Sequence, residues 1–249
     1  MSNKPRHDTV ARQLRKALDM HVPDGFLDAP TSIATAIVAV GGVGLALNRA
    51  RRELDDRTAP LAGLVAVFVF AAQMLNFPVG AGTSGHLLGG TLAAVLVGPW
   101  TATLCLTVVL AVQALLFADG GLTALGTNIT LMGLVGVWTG WLVFTALRRA
   151  VRSRGLSTVP ALAGVAAFVS VPVAALAFTF LYAVGGRAPI PLHELVAAMV
   201  GWHTLIGLGE GLITFLAVGS IIATRPDLVH GARNLVEART LEIRSEMHA

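Results

Sequence analysis

The sequence predicts an all-α, polytopic membrane protein with seven transmembrane helices, and three observations carry that prediction. Hydrophobic residues make up 55% of the 249 residues and charged residues 13%, against a charged share of about 25% in ordinary soluble domains. Mean hydropathy is +0.73. The apolar residues gather into long runs separated by Arg, Pro and Gly, the pattern of spans that each need about 20 apolar residues to cross the hydrocarbon. The lone cysteine, Cys105, sits inside one such run. Neither a disulfide framework nor a thiolate metal cluster can be built from it, and it reads as a small packing residue.

Taken in order, the first span runs from about Thr31 to Leu47 and stops at Asn48-Arg49. The second begins behind Pro60 and ends near Leu75. His86 to Val97 forms a short third, which Gly98-Pro99 separates from a fourth running from Trp100 to Ala118. Twelve residues are few for a span, so the third is expected to be tilted, shielded by neighbours or partly re-entrant. The fifth extends from about Leu122 to Leu147, the sixth from Val159 to Val184 and the seventh from Leu195 to Ala223. Residues 225–249 then form a mixed-charge tail.

Arginine placement orients the bundle. With the amino end outside, inner connections hold Arg49, Arg51, Arg52, Arg57, Arg148, Arg149, Arg152 and Arg154, and the inner tail adds Arg225, Arg233, Arg239 and Arg244. Outer connections beyond residue 30 hold Arg187 alone, so the expected topology is amino end out, carboxyl end in, in the cell (inner) membrane. Residues 1–19 break the rule, because Lys4, Arg6, Arg12, Arg15 and Lys16 would hold that segment inside. They also lack the apolar core of a signal peptide. The reading that removes the conflict is a non-native or mis-called extension ahead of Met20.

The outer face gathers the polar chemistry: His21 and Asp24, the segment from Asn76 to His86, Asp119-Gly120-Gly121, and Arg187 to Glu194. The Pro and Gly density of residues 76–82 fits an ordered irregular loop that lines a cavity. Asp119-Gly120-Gly121 reads as a tight turn before it reads as a ligand. His193, His230 and His248 have no motif partners and are expected to be solvated, and His7 falls in the basic leader. His203 and Glu210 lie seven residues apart on one helix face and are expected to form a packing pair among Gly201, Gly207, Gly209 and Gly211.

Five strings resemble a known family. They are His21-Val22-Pro23-Asp24-Gly25-Phe26-Leu27, Asn76-Phe77-Pro78-Val79, Gly82-Thr83-Ser84-Gly85-His86-Leu87-Leu88-Gly89-Gly90, Gln113-Ala114-Leu115-Leu116-Phe117-Ala118-Asp119-Gly120-Gly121, and Gly207-Leu208-Gly209-Glu210-Gly211-Leu212. They look like the CbiM/NikM proteins, the substrate-capture (S) components of cobalt and nickel energy-coupling-factor importers. The resemblance covers roughly residues 20–224.

It implies seven spans, an outward amino end and capture of Ni2+ or Co2+ from outside. The implied ligands are the amine of Met20, were that residue the amino terminus, with the main-chain nitrogen and imidazole of His21 and the imidazole of His86. Four nitrogens suit Ni(II), Cu(II) or Co(II), and the absence of thiolates argues against a soft-ion site. Asn76, Ser84, Gln113 and Asp119 are weaker candidates for orienting the ligands or gating the site. The implied partners are a transmembrane coupling protein of CbiQ/NikQ type, a cytoplasmic ATPase pair of CbiO/NikO type and a small membrane protein of CbiN/NikN type. The chain has no phosphate-binding Gly-x-x-x-x-Gly-Lys-Ser/Thr string, so ATP would act only through partners. The rival reading is a self-sufficient secondary metal transporter or channel, for which His203 and Glu210 are thin support. A hydrolase built from Ser84, His86 and Asp119 lacks a nucleophile elbow.

Overall fold

The computed structural model describes residues 21–55, 58–75, 77–80, 83–151 and 155–236, with backbone alone for 77–80, 83 and 84. Its elements are α1 (Ala29–Ala50), α2 (Thr58–Gln73), a hairpin of β1 (Phe77–Gly80) and β2 (Thr83–Gly85), α3 (Gly90–Val97), α4 (Pro99–Leu116), α5 (Leu125–Val151), α6 (Val159–Gly185) and α7 (Leu192–Thr224). Five of these, α1, α4, α5, α6 and α7, are long and apolar enough to cross a membrane. The 16 residues of α2 and the 8 of α3 are shorter than the crossing length.

Helix α3 explains why the third span looked short. At ~1.5 Å per residue it reaches roughly 12 Å, well under the ~30 Å hydrocarbon. All eight of its residues are buried, so lipid never meets it. The segment from His86 to Gly89 is non-helical and Gly89 takes φ +74°, which starts the helix late. Gly98 at φ +94° turns the chain and Pro99 opens α4, a first-turn position where the missing N–H costs nothing. Leu92 to Val97 form the middle of the main core with Val65 and Val69 of α2, Leu106 of α4, Phe144 of α5 and Ala163 of α6.

Side-chain size is sorted as in lipid. On α1, Thr31, Thr35, Ala39, Ala46 and Ala50 face inward, whereas Ile33, Ile37, Val40 and Leu47 are exposed. Small residues allow close packing where no hydrophobic drive separates protein from lipid. Helices α6 and α7 approach backbone to backbone. A Cβ on Gly164 would lie 2.8 Å from the Gly211 carbonyl oxygen, and one on Gly211 would lie 2.9 Å from that of Gly164. Gly207 meets the Phe168 carbonyl oxygen in the same way, at 2.8 Å, while Gly201 and Gly209 face open space. The expected glycine face is therefore half right.

Midway along α5 the backbone widens into a π-helix over Ile129–Gly136, which the apolar pattern did not announce. The Thr103 hydroxyl donates to the Gly133 carbonyl at 3.0 Å, supplying a donor from the neighbouring helix within that wider stretch.

At one end of the bundle Glu53 caps α4. Its carboxylate accepts from Trp100 N at 3.2 Å, and from Thr101 N and Oγ1 at 2.7 and 2.9 Å. Burial pushes the Glu53 carboxyl above its ordinary range despite these bonds. Residues 226–236 also pack here, so the described part of the expected tail belongs to the body: Val229 and Ala232 are fully buried and Arg148 donates to the Gly231 carbonyl. His230 stacks near Trp141 instead of standing in solvent, and burial with the nearby Arg233 pushes it down to about 4. His193 is exposed as expected. His7 and His248 lie outside the described residues.

Candidate metal site

At the opposite end, the segment from His21 to Asp28 lies across the bundle and is tied down twice. Val22 donates its N–H to Asn128 Oδ1 at 3.0 Å, and its carbonyl accepts from Asn128 Nδ2 at 3.2 Å and Gly121 N at 3.0 Å. Asp24 Oδ1 accepts from Thr123 N at 2.8 Å and Thr123 Oγ1 at 2.5 Å. Burial raises the Asp24 carboxyl, but the Thr123 bonds outweigh it and leave it below the usual range. The second tie pairs Leu27 with Gly186. Asp28 N donates to Gly185 O at 2.7 Å and Arg187 N to Phe26 O at 2.9 Å.

These ties place His21 over the turn after α4, and the glycines there exist for its approach. Gly120 has φ +84°, and a Cβ on it would lie 2.8 Å from His21 Cβ. A Cβ on Gly121 would lie 2.3 Å from Asp24 N. The turn that looked generic in sequence is a seat for residues 21–24. Asp119, in that turn, is 8% exposed and its Oδ2 lies 3.1 Å from His21 Nδ1.

His86 arrives from the other side, in the link between β2 and α3. Its ring centroid is 4.5 Å from that of His21, with the planes tilted by 51°. Both residues are 6% exposed. His86 Nδ1 lies 2.8 Å from the Leu87 carbonyl oxygen. A carbonyl can only accept, so Nδ1 carries the proton and Nε2 the lone pair. The same logic at the Asp119 carboxylate puts a proton on His21 Nδ1, while His21 Nε2 is buried and has no hydrogen-bond partner among the described residues. A neutral imidazole held by an acceptor on its outer nitrogen, as His86 is, is how proteins prepare a histidine ligand. Among the described residues no group of three or more His, Cys, Asp or Glu side chains could hold a metal ion.

The other sequence candidates separate. Gln113 is fully buried, and among the described residues its carboxamide bonds to neither imidazole. Ser84 pairs with Pro78 in the hairpin, and its side chain is outside the description. Met20 and Asn76 lie outside the described residues. His203 and Glu210 do not pair with each other: His203 Nδ1 bonds to Met199 O at 2.8 Å, and Glu210 bonds to the main chain of Leu88 and Gly89. Asn128 was not legible as a site residue, since it sits within an apolar helical run and its partner Val22 lies 106 positions away.

The family model of the cobalt uptake substrate-specific transmembrane region matches residues 21–228. The chain belongs to this family, CbiM. The cobalt transport protein CbiM of Sorangium cellulosum is 36% identical over 214 residues, spanning 84% of this chain and 94% of that one. The fused nickel transport protein NikMN of Rhodobacter capsulatus is 34% identical over 221 residues, spanning 84% of this chain and 64% of that one. A crystal structure of a truncated transition metal transporter superposes with a TM-score of 0.76 at 28% identity, covering 82% of this chain and 99% of that one. The CbiM match starts at His21.

Proposed function

We propose that this protein captures divalent cobalt or nickel at the outer face of the cell membrane and hands it inward as the substrate-specific subunit of an ATP-driven importer. The observation that carries this reading is the pair of buried imidazoles, His21 and His86, 4.5 Å apart at the bundle mouth. Membership in CbiM and the cobalt and nickel transport named for its relatives support the choice of cargo. Nitrogen donors without thiolates suit these two ions.

The site fills when His21 and His86 bind the metal together with main-chain nitrogen of His21 and the amine of Met20 as chain start. Chelation through His21's own main-chain nitrogen closes a six-membered ring only through Nδ1. That nitrogen now carries the proton that faces Asp119, so loading moves the proton off Nδ1, to Nε2 or to solvent, and puts the metal in place of the carboxylate contact there. Seven membrane segments, with the short α2 and α3 counted as spans, carry the site outward, and the arginine-rich end faces the cytoplasm. There a CbiQ/NikQ-type coupling protein and a CbiO/NikO-type ATPase pair supply the energy. A CbiN/NikN-type partner fits the fused relative.

Titration of purified protein with Ni2+ and Co2+ tests this. The intact protein binds one ion, and His21→Ala and His86→Ala each weaken binding by about a hundredfold or more, the loss of one imidazole ligand being worth at least the ~2.7 kcal/mol of that ratio. Binding that survives both substitutions overturns the assignment.

A further inference from the structure

Glu210 is buried in the middle of the longest helix, 3% exposed, and the mouth chemistry described so far does not use it. Its carboxylate accepts two main-chain bonds, from Leu88 N to Oε2 at 2.6 Å and from Gly89 N to Oε1 at 3.0 Å. The carbonyl of the same Leu88 accepts from Gln73 Nε2, at 2.8 Å. Residue 88 is thus gripped on its N–H by α7 and on its C=O by α2. One residue back, the Leu87 carbonyl receives His86 Nδ1.

The link enters α3 at Gly89, whose carbonyl accepts the first helical bond, from Ala93 N at 3.0 Å. Gly89 is left-handed, and a Cβ there would stand 2.8 Å from Val69 Cγ2, so the chain is forced close to α2 at that point. The orientation of the His86 ring therefore rests on where Leu88 sits, and Leu88 sits where two distant helices hold it. A buried carboxylate is a costly way to satisfy two N–H groups if stability alone is at stake. It is a reasonable one where a ligand must be held within about half an ångström of its working position.

We propose that Glu210 and Gln73 are positioning residues for metal capture: by clamping the main chain at Leu88-Gly89 from α7 and α2, they fix the His86 imidazole against His21. The proposal rests on the capture reading above. It also makes the site sensitive to the spacing of α2 and α7, because moving either helix pulls on the segment that orients His86.

The test uses the full-length protein in detergent, with Glu210→Gln, Gln73→Leu and the double substitution. Metal affinity is read by Ni2+ titration, ligand geometry by the visible absorption of bound Co2+, and the clamp by amide hydrogen exchange over residues 86–91. The expected result for each single variant is faster exchange in that segment, Ni2+ affinity lowered about 10- to 100-fold, the usual range for groups that orient metal ligands, and a changed Co2+ spectrum. Since both residues act on Leu88, the double variant loses less than the sum of the two. Weaker binding with an unaltered spectrum marks a merely structural role and overturns the proposal, as do wild-type affinities. Should Glu210→Gln fail to fold, Gln73→Leu carries the same outcomes. Wild-type protein that binds neither ion, or His86→Ala that binds as tightly as wild type, overturns instead the capture reading itself.

Discussion

Asn128 holds both polar atoms of the Val22 main chain with one carboxamide, which makes it the residue on which the placement of His21 depends most directly. Asn128→Leu removes both bonds at nearly constant volume, and Ni2+ affinity is expected to fall about tenfold or more, measured by titration on protein whose melting behaviour confirms that it remains folded. Unchanged affinity would show that the Asp24 tie suffices. The two imidazoles stood out in sequence because they sit in polar or glycine-rich strings at the ends of spans, whereas Asp119 read first as part of a tight turn. Asn128 did not stand out, because it lies inside an apolar run and its partner is 106 positions away. The expected His203–Glu210 pair failed for the same reason: a shared helix face fixes direction, and the chemistry that meets it comes from elsewhere in the fold.

Among the elements, α6 and α7 pack backbone to backbone. Their backbones touch at Gly164 and Gly211, so Gly211→Leu should lower the melting temperature by several degrees, whereas Gly209→Leu, on a face with open space, should leave it within a degree or so. Equal effects of the two would contradict the packing. Sequence placed five of the seven segments within a few residues, since long apolar runs between arginines or prolines have no other use in lipid. It overextended the third by starting at His86, because apolar Leu87 and Leu88 continue the run although the backbone bonds of Leu88 go to Glu210 and Gln73 and the Leu87 carbonyl receives His86 Nδ1. The π-helix of α5 was hidden as well, since a wider turn leaves the composition unchanged.

For the whole molecule, the contacts sort the connections into two ends: residues 21–28, 117–125 and 185–190 at the metal site, and residues 51–55, 98–101, 148 and 226–233 at the other. The arginines cluster at the second end, so the site should face outward. In a Cys105→Ala background, Leu122→Cys is expected to react with a membrane-impermeant maleimide on intact cells, and Arg149→Cys only after the membrane is opened. The reverse pattern would invert the topology and turn the capture site toward the cytoplasm.

X-ray absorption at the nickel edge shows whether His21 and His86 bind one metal ion together. The account predicts a first shell of nitrogen donors, with outer-shell scattering from two imidazoles that drops to one in His86→Ala. A shell dominated by oxygen or sulfur, or imidazole scattering that His86→Ala leaves unchanged, would contradict it.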